Sequence, residues 1–175
     1  MNILYEILKE HSKKQSLKIA AYIGNNPTRF AVLMKLFLFG EYRVVQRAAW
    51  VVSFCSEKHP ALIKPWLKKL VLNLQKPGLP KAVKRNTLRV MQFINIPKPL
   101  QGKTVDICFK FLANPTEAIA VKVFAITVLF NISKSEPYIQ NELKLLIEEN
   151  LVFVSSSLKS RGNKILKQIN AQNGC

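Results

Sequence analysis

The sequence predicts an all-α fold: a right-handed α-α superhelix, or α-solenoid, of about five stacked helical hairpins. Three observations carry this expectation. Apolar residues recur at helical spacing along nearly the whole chain, and no stretch shows the period-two alternation of a strand. Proline and glycine punctuate the chain at intervals that suit helices. A short residue pattern also returns at a nearly constant spacing, as it does when one supersecondary unit is repeated.

The punctuation fixes the elements in order. The breaks are Gly24-Asn25-Asn26-Pro27, His59-Pro60, Pro77-Gly78-Leu79-Pro80, Ile96-Pro97-Lys98-Pro99, Asn114-Pro115 and Ser135-Glu136-Pro137. Proline lacks an N–H, which goes unused in the first turn of a helix, so each break reads as the end of one helix and the start of the next. The resulting helices are 2–10, 13–24, 27–39, 42–58, 60–75, 80–95, 98–113, 115–133, 136–153 and 156–171. Paired, they give hairpins over about 2–24, 27–58, 60–95, 98–133 and 136–171 of one domain spanning 1–175.

The repeated pattern is an aliphatic residue, a basic or amide residue, two of any kind, and a small one. It is met at Leu17-Lys18-Ile19-Ala20-Ala21, Val45-Gln46-Arg47-Ala48-Ala49, Val83-Lys84-Arg85-Asn86-Thr87, Val121-Lys122-Val123-Phe124-Ala125 and Leu158-Lys159-Ser160-Arg161-Gly162. The last four begin at 45, 83, 121 and 158, a spacing of 38, 38 and 37; the first precedes the second by 28. The small residues Ala21, Ala49, Thr87, Ala125 and Gly162 are expected to let neighbouring helices approach. A single pair cannot bury its own apolar face, so the pairs must stack.

This pattern resembles the second helix of a HEAT repeat, in which an aliphatic-Arg pair precedes a small residue. The resemblance covers nearly the whole chain. It departs from the family pattern where Lys18, Gln46, Lys84, Lys122 and Lys159 stand in place of arginine, and the acidic residue that precedes the second helix is clear only as Glu41. What the resemblance implies is a solenoid whose second helices line the concave side.

Charge is the strongest compositional signal. The 175 residues hold 27 basic and 10 acidic side chains, a net charge of +17. Between Lys58 and Lys103 there are eleven basic residues and no acid. Between Glu117 and Glu149 the balance reverses, with five glutamates against Lys122, Lys134 and Lys144. A field of one sign draws partners of the other sign and speeds their encounter.

The candidate binding residues follow from this charge and the helical register. Arg43, Gln46 and Arg47 share one face of helix 42–58, because residues three and four apart are neighbours. Trp50 lies one turn beyond Arg47. Lys81, Lys84 and Arg85 hold the matching positions one repeat on, and Lys122 holds the Gln46 position in the next. Arg43, Arg47, Trp50, Lys81, Lys84, Arg85 and Lys122 are therefore expected to bind an acidic partner, protein or nucleic acid, with Trp50 either a stacking surface or part of the core.

Catalytic patterns are sparse. The basic strip is similar to that of HEAT-like alkylpurine DNA glycosylases, whose tryptophan-lined concave site carries an acidic catalytic residue. The one aspartate here, Asp106, lies on a first helix, and Trp50 and Trp66 lie on different helices. Ser155-Ser156-Ser157-Leu158-Lys159-Ser160-Arg161-Gly162-Asn163 resembles the serine-rich mobile loop of the fumarase/adenylosuccinate lyase superfamily at Ser155, Ser156 and Asn163, with Leu158 and Lys159 where that loop has Met-Pro. The same residues also suit a helix start with serines at the N-cap. Cys55 and His59, four apart, read as a buried thiol beside a helix-capping histidine rather than a nucleophile and base. There is no phosphate-cradling glycine loop and no Gly-x-Ser-x-Gly elbow. The expected protein is non-catalytic, with no cofactor and no metal.

The other totals agree. Three cysteines (Cys55, Cys108 and the terminal Cys175) give no disulfide framework, and His11 and His59 are too scattered for a zinc site. The longest apolar run, Phe30 to Gly40, is interrupted by Lys35 and is shorter than a spanning helix. Met1 to Glu6 lacks the basic leader of a secretory signal, so a cytoplasmic protein is expected. The ends of such a stack expose apolar surface, which allows an end-to-end dimer.

Overall fold

In a computed structural model, residues 1–151 and 156–172 are described. Among them there is no strand. The described residues run through ten α-helices: α1 Ile3–Lys9, α2 Lys13–Ile23, α3 Pro27–Phe39, α4 Tyr42–Lys58, α5 Leu67–Leu74, α6 Lys81–Met91, α7 Lys98–Ala113, α8 Ile119–Ser133, α9 Gln140–Leu151 and α10 Ser156–Gln172. The expected all-α architecture is the observed one. The end of the helix expected over 136–153, and the terminal Cys175, lie outside the described residues.

Local chemistry explains the starts and stops. The side chains of Asn2, Ser12 and Asn26 accept hydrogen bonds from the backbone N–H of Tyr5, Gln15 and Arg29, capping α1, α2 and α3, and Pro27 fills the first helical position of α3. Gly24 ends α2 with a positive φ of 52°, a conformation that costs a residue without Cβ little.

Four helices start or stop well away from their sequence boundaries; the one expected from 136 opens as a 3-10 turn, Pro137–Ile139, before α9 begins at Gln140. The stretch 60–75 opens as two 3-10 turns, Pro60–Leu62 and Lys64–Trp66, before α5 begins at Leu67. Pro65 is the cause: deep in a helix its ring would meet the carbonyl of Ala61 and it offers no N–H. Residues 115–118 do not join α8, because the Asn114 side chain accepts from both the N–H and hydroxyl of Thr116 and holds a turn. The helix expected to reach 95 ends at Met91, where Phe93 and Ile94 donate to the carbonyls three residues back, Val90 and Met91.

Where the sequence reads as one run of repeats, the chain divides into two compact units, Met1–Ile94 and Asn95–Cys175. In the first, α4 is central. It packs against α2, α3, α6 and α1, and α5 packs on α6. The second helices α2, α4 and α6 thus lie side by side, and α3 covers α4 with Phe30, Leu33, Met34 and Phe37, all buried. In the second unit α7 pairs with α8, α9 pairs with α10, and α8 lies against α10.

The repeated stations are core where the pattern places them in four repeats. Val45, Val83, Val121 and Leu158 are buried, as are Ala49, Thr87, Ala125 and Gly162. The first repeat is a correction. Leu17 is 45% exposed and Ala21 faces solvent, whereas Ser16, Ile19 and Ile23 are buried. The register there begins one residue earlier, at Ser16, and the helix is turned accordingly.

Gly162 shows how closely α10 meets α9. A Cβ built there lies 2.9 Å from Ile147 Cγ2 and 3.1 Å from a Leu151 Cδ. Gly162→Val is therefore expected to destabilise the protein by about 1–3 kcal/mol through overpacking. A lowered urea midpoint with unchanged slope would register it.

Candidate functional site

The exposed face of α4 in the first unit carries Arg43, Arg47, Trp50, Phe54 and Glu57 at spacings of three and four, so they form one stripe. Adjacent α6 presents Lys81, Lys84, Arg85 and Arg89 in the same way. Arg43 and Lys81 are exposed, while Arg47, Lys84, Arg85 and Arg89 are half-buried. Among the described residues no carboxylate pairs with Arg43, Arg47, Lys81 or Arg85.

Arg89 belongs with this group, although its place was not singled out from sequence. It lies one turn beyond Arg85, and that spacing was the available signal. Burial holds the Arg89 guanidinium below its ordinary range, the nearby charge of Arg85 acts in the same sense, and Glu57 of α4 opposes both. Positive charge is thus crowded where α6 meets α4, with Glu57 the acid that answers it.

Arg47 has a second attachment. Its Nη1 donates to the carbonyls of Ile7, at 3.2 Å, and Leu8, at 2.8 Å. These are orphan acceptors at the C-terminal end of α1, where a cation also meets the negative end of the helix dipole. Arg47 ties α1 to α4. Arg47→Ala is expected to cost about 1–3 kcal/mol and to speed amide exchange over residues 3–9.

Trp50 is half-buried and meets His11 edge to face, with ring centroids 5.1 Å apart. It is neither a free stacking platform nor a fully enclosed core residue. Arg85 Nε donates to Asn86 Oδ1 at 3.3 Å.

In the second unit Lys122 does not extend an open strip. It is 6% exposed, and its ammonium donates to Asn150 Oδ1 at 2.7 Å. Burial holds its pKa below the ordinary lysine range, against the opposing pull of Glu117. Glu117, also buried, precedes Lys122 by five residues, as Glu41 precedes Gln46. It therefore fills the acidic position that the sequence made clear only at Glu41. Lys122 here joins α8 to α9, a structural tie rather than a solvent-facing cation.

The catalytic resemblances find no matching geometry. Asp106 is exposed on α7, beside Gly102, Phe109 and Tyr138. In the first unit Trp50 and Trp66 lie on different elements, and Lys69 covers the Trp66 ring, its Nζ 5.0 Å from the centroid. Residues 156–163 are helical, part of α10, and Arg161 Nη1 donates to Thr127 Oγ1 rather than lying on a mobile loop; Ser155 is outside the described residues. Among the described residues there is no cluster of three His, Cys, Asp or Glu side chains that would hold a metal, and no helix long and apolar enough to cross a membrane.

Cys55 and Cys108 are buried, and burial pushes both thiols up to about 12. Almost none of either is thiolate near neutral pH. In a Cys175→Ser protein at pH 8, a thiol reagent such as DTNB is accordingly expected to react only after denaturant is added. Rapid labelling of the native protein would contradict the burial of both.

No curated protein and no solved structure matches the chain. The HEAT repeat domain profile matches residues 4–169, which takes in both compact units and nearly every helix. With its helical hairpins and its repeated buried stations at 45, 83, 121 and 158, this chain belongs to the HEAT repeat domain family.

Proposed function

We propose that the protein is a non-catalytic binding scaffold that recognises an acidic protein through the basic face of α4 and α6. HEAT repeats are in general scaffolds for protein interactions and are typically non-enzymatic. The observation that supports the specific reading is the crowding of Arg43, Lys81, Lys84, Arg85 and Arg89 on two packed helices, with Glu57 as the nearby acid. A site of one sign steers a partner of the other sign and fixes its register more than it adds raw affinity. Arg47 stands on the same stripe of α4, with its guanidinium engaged by the end of α1.

A short polyglutamate peptide tests the location. In two-dimensional NMR the amides of α4 and α6, around Arg43 and residues 81–89, are expected to shift on titration and those of α3 to stay in place. Shifts spread evenly over all exposed lysines would remove the site from this face. Nucleic acid is the other polyanion to which such a face responds, and the partly covered Trp50 gives it no open stacking surface.

A further inference from the structure

The register of the first repeat leaves a pocket beside the basic face. Leu17, Ala20, Ala21 and Gly24 of the α2 side face Phe54 and Cys55 of α4 across an open cavity of about 450 Å³. Glu57, Lys58 and His59 form its rim. Had α2 kept the register of the other repeats, Leu17 and Ala21 would be core. Because the motif begins at Ser16 instead, an aliphatic side chain and a small one are turned outward.

Inside its charged rim the lining is apolar. Cys55 stays a protonated thiol at neutral pH, a small hydrophobe. Phe54 supplies a half-exposed ring. Phe54 also continues the α4 stripe of Arg43, Arg47 and Trp50, so pocket and cations lie along one helix face. Lys58 at the rim and Lys14 on α2 are exposed, and no carboxylate pairs with either among the described residues.

We infer that this pocket holds one large apolar side chain, aliphatic or aromatic, carried on an acidic segment of a protein partner whose carboxylates lie on the neighbouring cations of α4 and α6. The inference rests on the acidic-partner reading and deepens it. Charge complementarity selects the segment's acidic character, and the apolar cavity selects the residue at its centre. Such an anchor surrounded by a polar rim is how a few residues come to carry most of an interface's energy.

The test is a selection of random 16-residue peptides displayed on phage against the wild-type protein, Ala21→Trp and Arg43→Glu/Arg85→Glu. Ala21 is exposed on a helix, so tryptophan fills the cavity from a position that tolerates size; Leu17→Asn, which makes the wall polar, is a second variant. Circular dichroism and Tm confirm the fold of each. Peptides enriched on the wild type are expected to be acidic around one apolar residue, and to be lost on Ala21→Trp and on the charge reversal. By fluorescence anisotropy, changing that residue to Ser should weaken binding about 10-fold or more to the wild type and hardly at all to Ala21→Trp.

Acidic peptides without an apolar residue, bound equally by Ala21→Trp and Leu17→Asn, would overturn the pocket and leave the acidic-partner reading standing. Peptides that are neither acidic nor sensitive to Ala21→Trp would overturn both. An apolar motif lacking acids, sensitive to Ala21→Trp alone, would also overturn the inference, since it would make the pocket a site for a different class of ligand.

Discussion

Arg43→Glu combined with Arg85→Glu is expected to weaken binding of an acidic peptide about 100-fold at low salt, with the fold intact. Two charges within about 4 Å attract by roughly 1 kcal/mol in water, and reversing one turns that attraction into a repulsion of similar size. Each substitution therefore shifts the balance by up to about 2 kcal/mol before screening, and screening at ordinary salt reduces it. Arg43 is exposed and Arg85 is half-buried, with its guanidinium held by Asn86, so neither ties one helix to another. Arg47 is unsuited to the same experiment. It holds the end of α1 through the carbonyls of Ile7 and Leu8, and its loss would mix a stability effect with a binding effect. The peptide's affinity for each single variant, set beside the double, would show whether the two arginines act additively, as residues without a shared partner should.

The largest stability effect is expected from Phe37→Ala. Phe37 is 1% exposed and fills the interface that α3 makes with α4 in the first unit. Truncation removes the transfer free energy of the ring and leaves a cavity that the neighbouring helices close only in part, for a loss of about 3–5 kcal/mol. That is a large share of the roughly 5–15 kcal/mol by which domains are stable. In a repeat protein each unit leans on its neighbours, so the loss should appear first in α3 and α4. Hydrogen exchange resolved by helix would report it there, and a uniform small change throughout the chain would contradict the placement of Phe37 in this core.

The periodic part of the structure was legible in the sequence. Val45, Val83, Val121 and Leu158 stand at a spacing of 38, 38 and 37, and all four are buried, because a stacked repeat must present the same face at the same interval. The first repeat was misread by one residue. Leu17 is a better match to the pattern than Ser16, yet the packed structure buries Ser16 and leaves Leu17 largely exposed, and only the three-dimensional neighbours decide between them.

Arg47 and Lys122 looked like solvent-facing cations for a similar reason. Their acceptors lie 40 and 39 residues away for Arg47, and 28 away for Lys122, beyond the reach of any local pattern. Glu117 and Arg89 were missed despite signals within five residues. Glu117 is spaced from Lys122 as Glu41 is from Gln46, and Arg89 is one turn from Arg85. Helix boundaries failed where a side chain overrode the backbone pattern, as at Pro65 and Asn114.

The most direct test of the basic face is anisotropy of a labelled 20-residue polyglutamate against the wild type and Arg43→Glu/Arg85→Glu, from about 50 to 200 mM salt, with labelled duplex DNA and single-stranded RNA in parallel. Binding of polyglutamate at low salt, lost in the double variant and weakening as salt rises, is the expected result. DNA or RNA binding that falls roughly 10³-fold across that range while polyglutamate fails to bind would make the partner a nucleic acid. No binding of any polyanion at 50 mM salt, or binding unchanged by the two reversals, would contradict recognition of an acidic partner through α4 and α6.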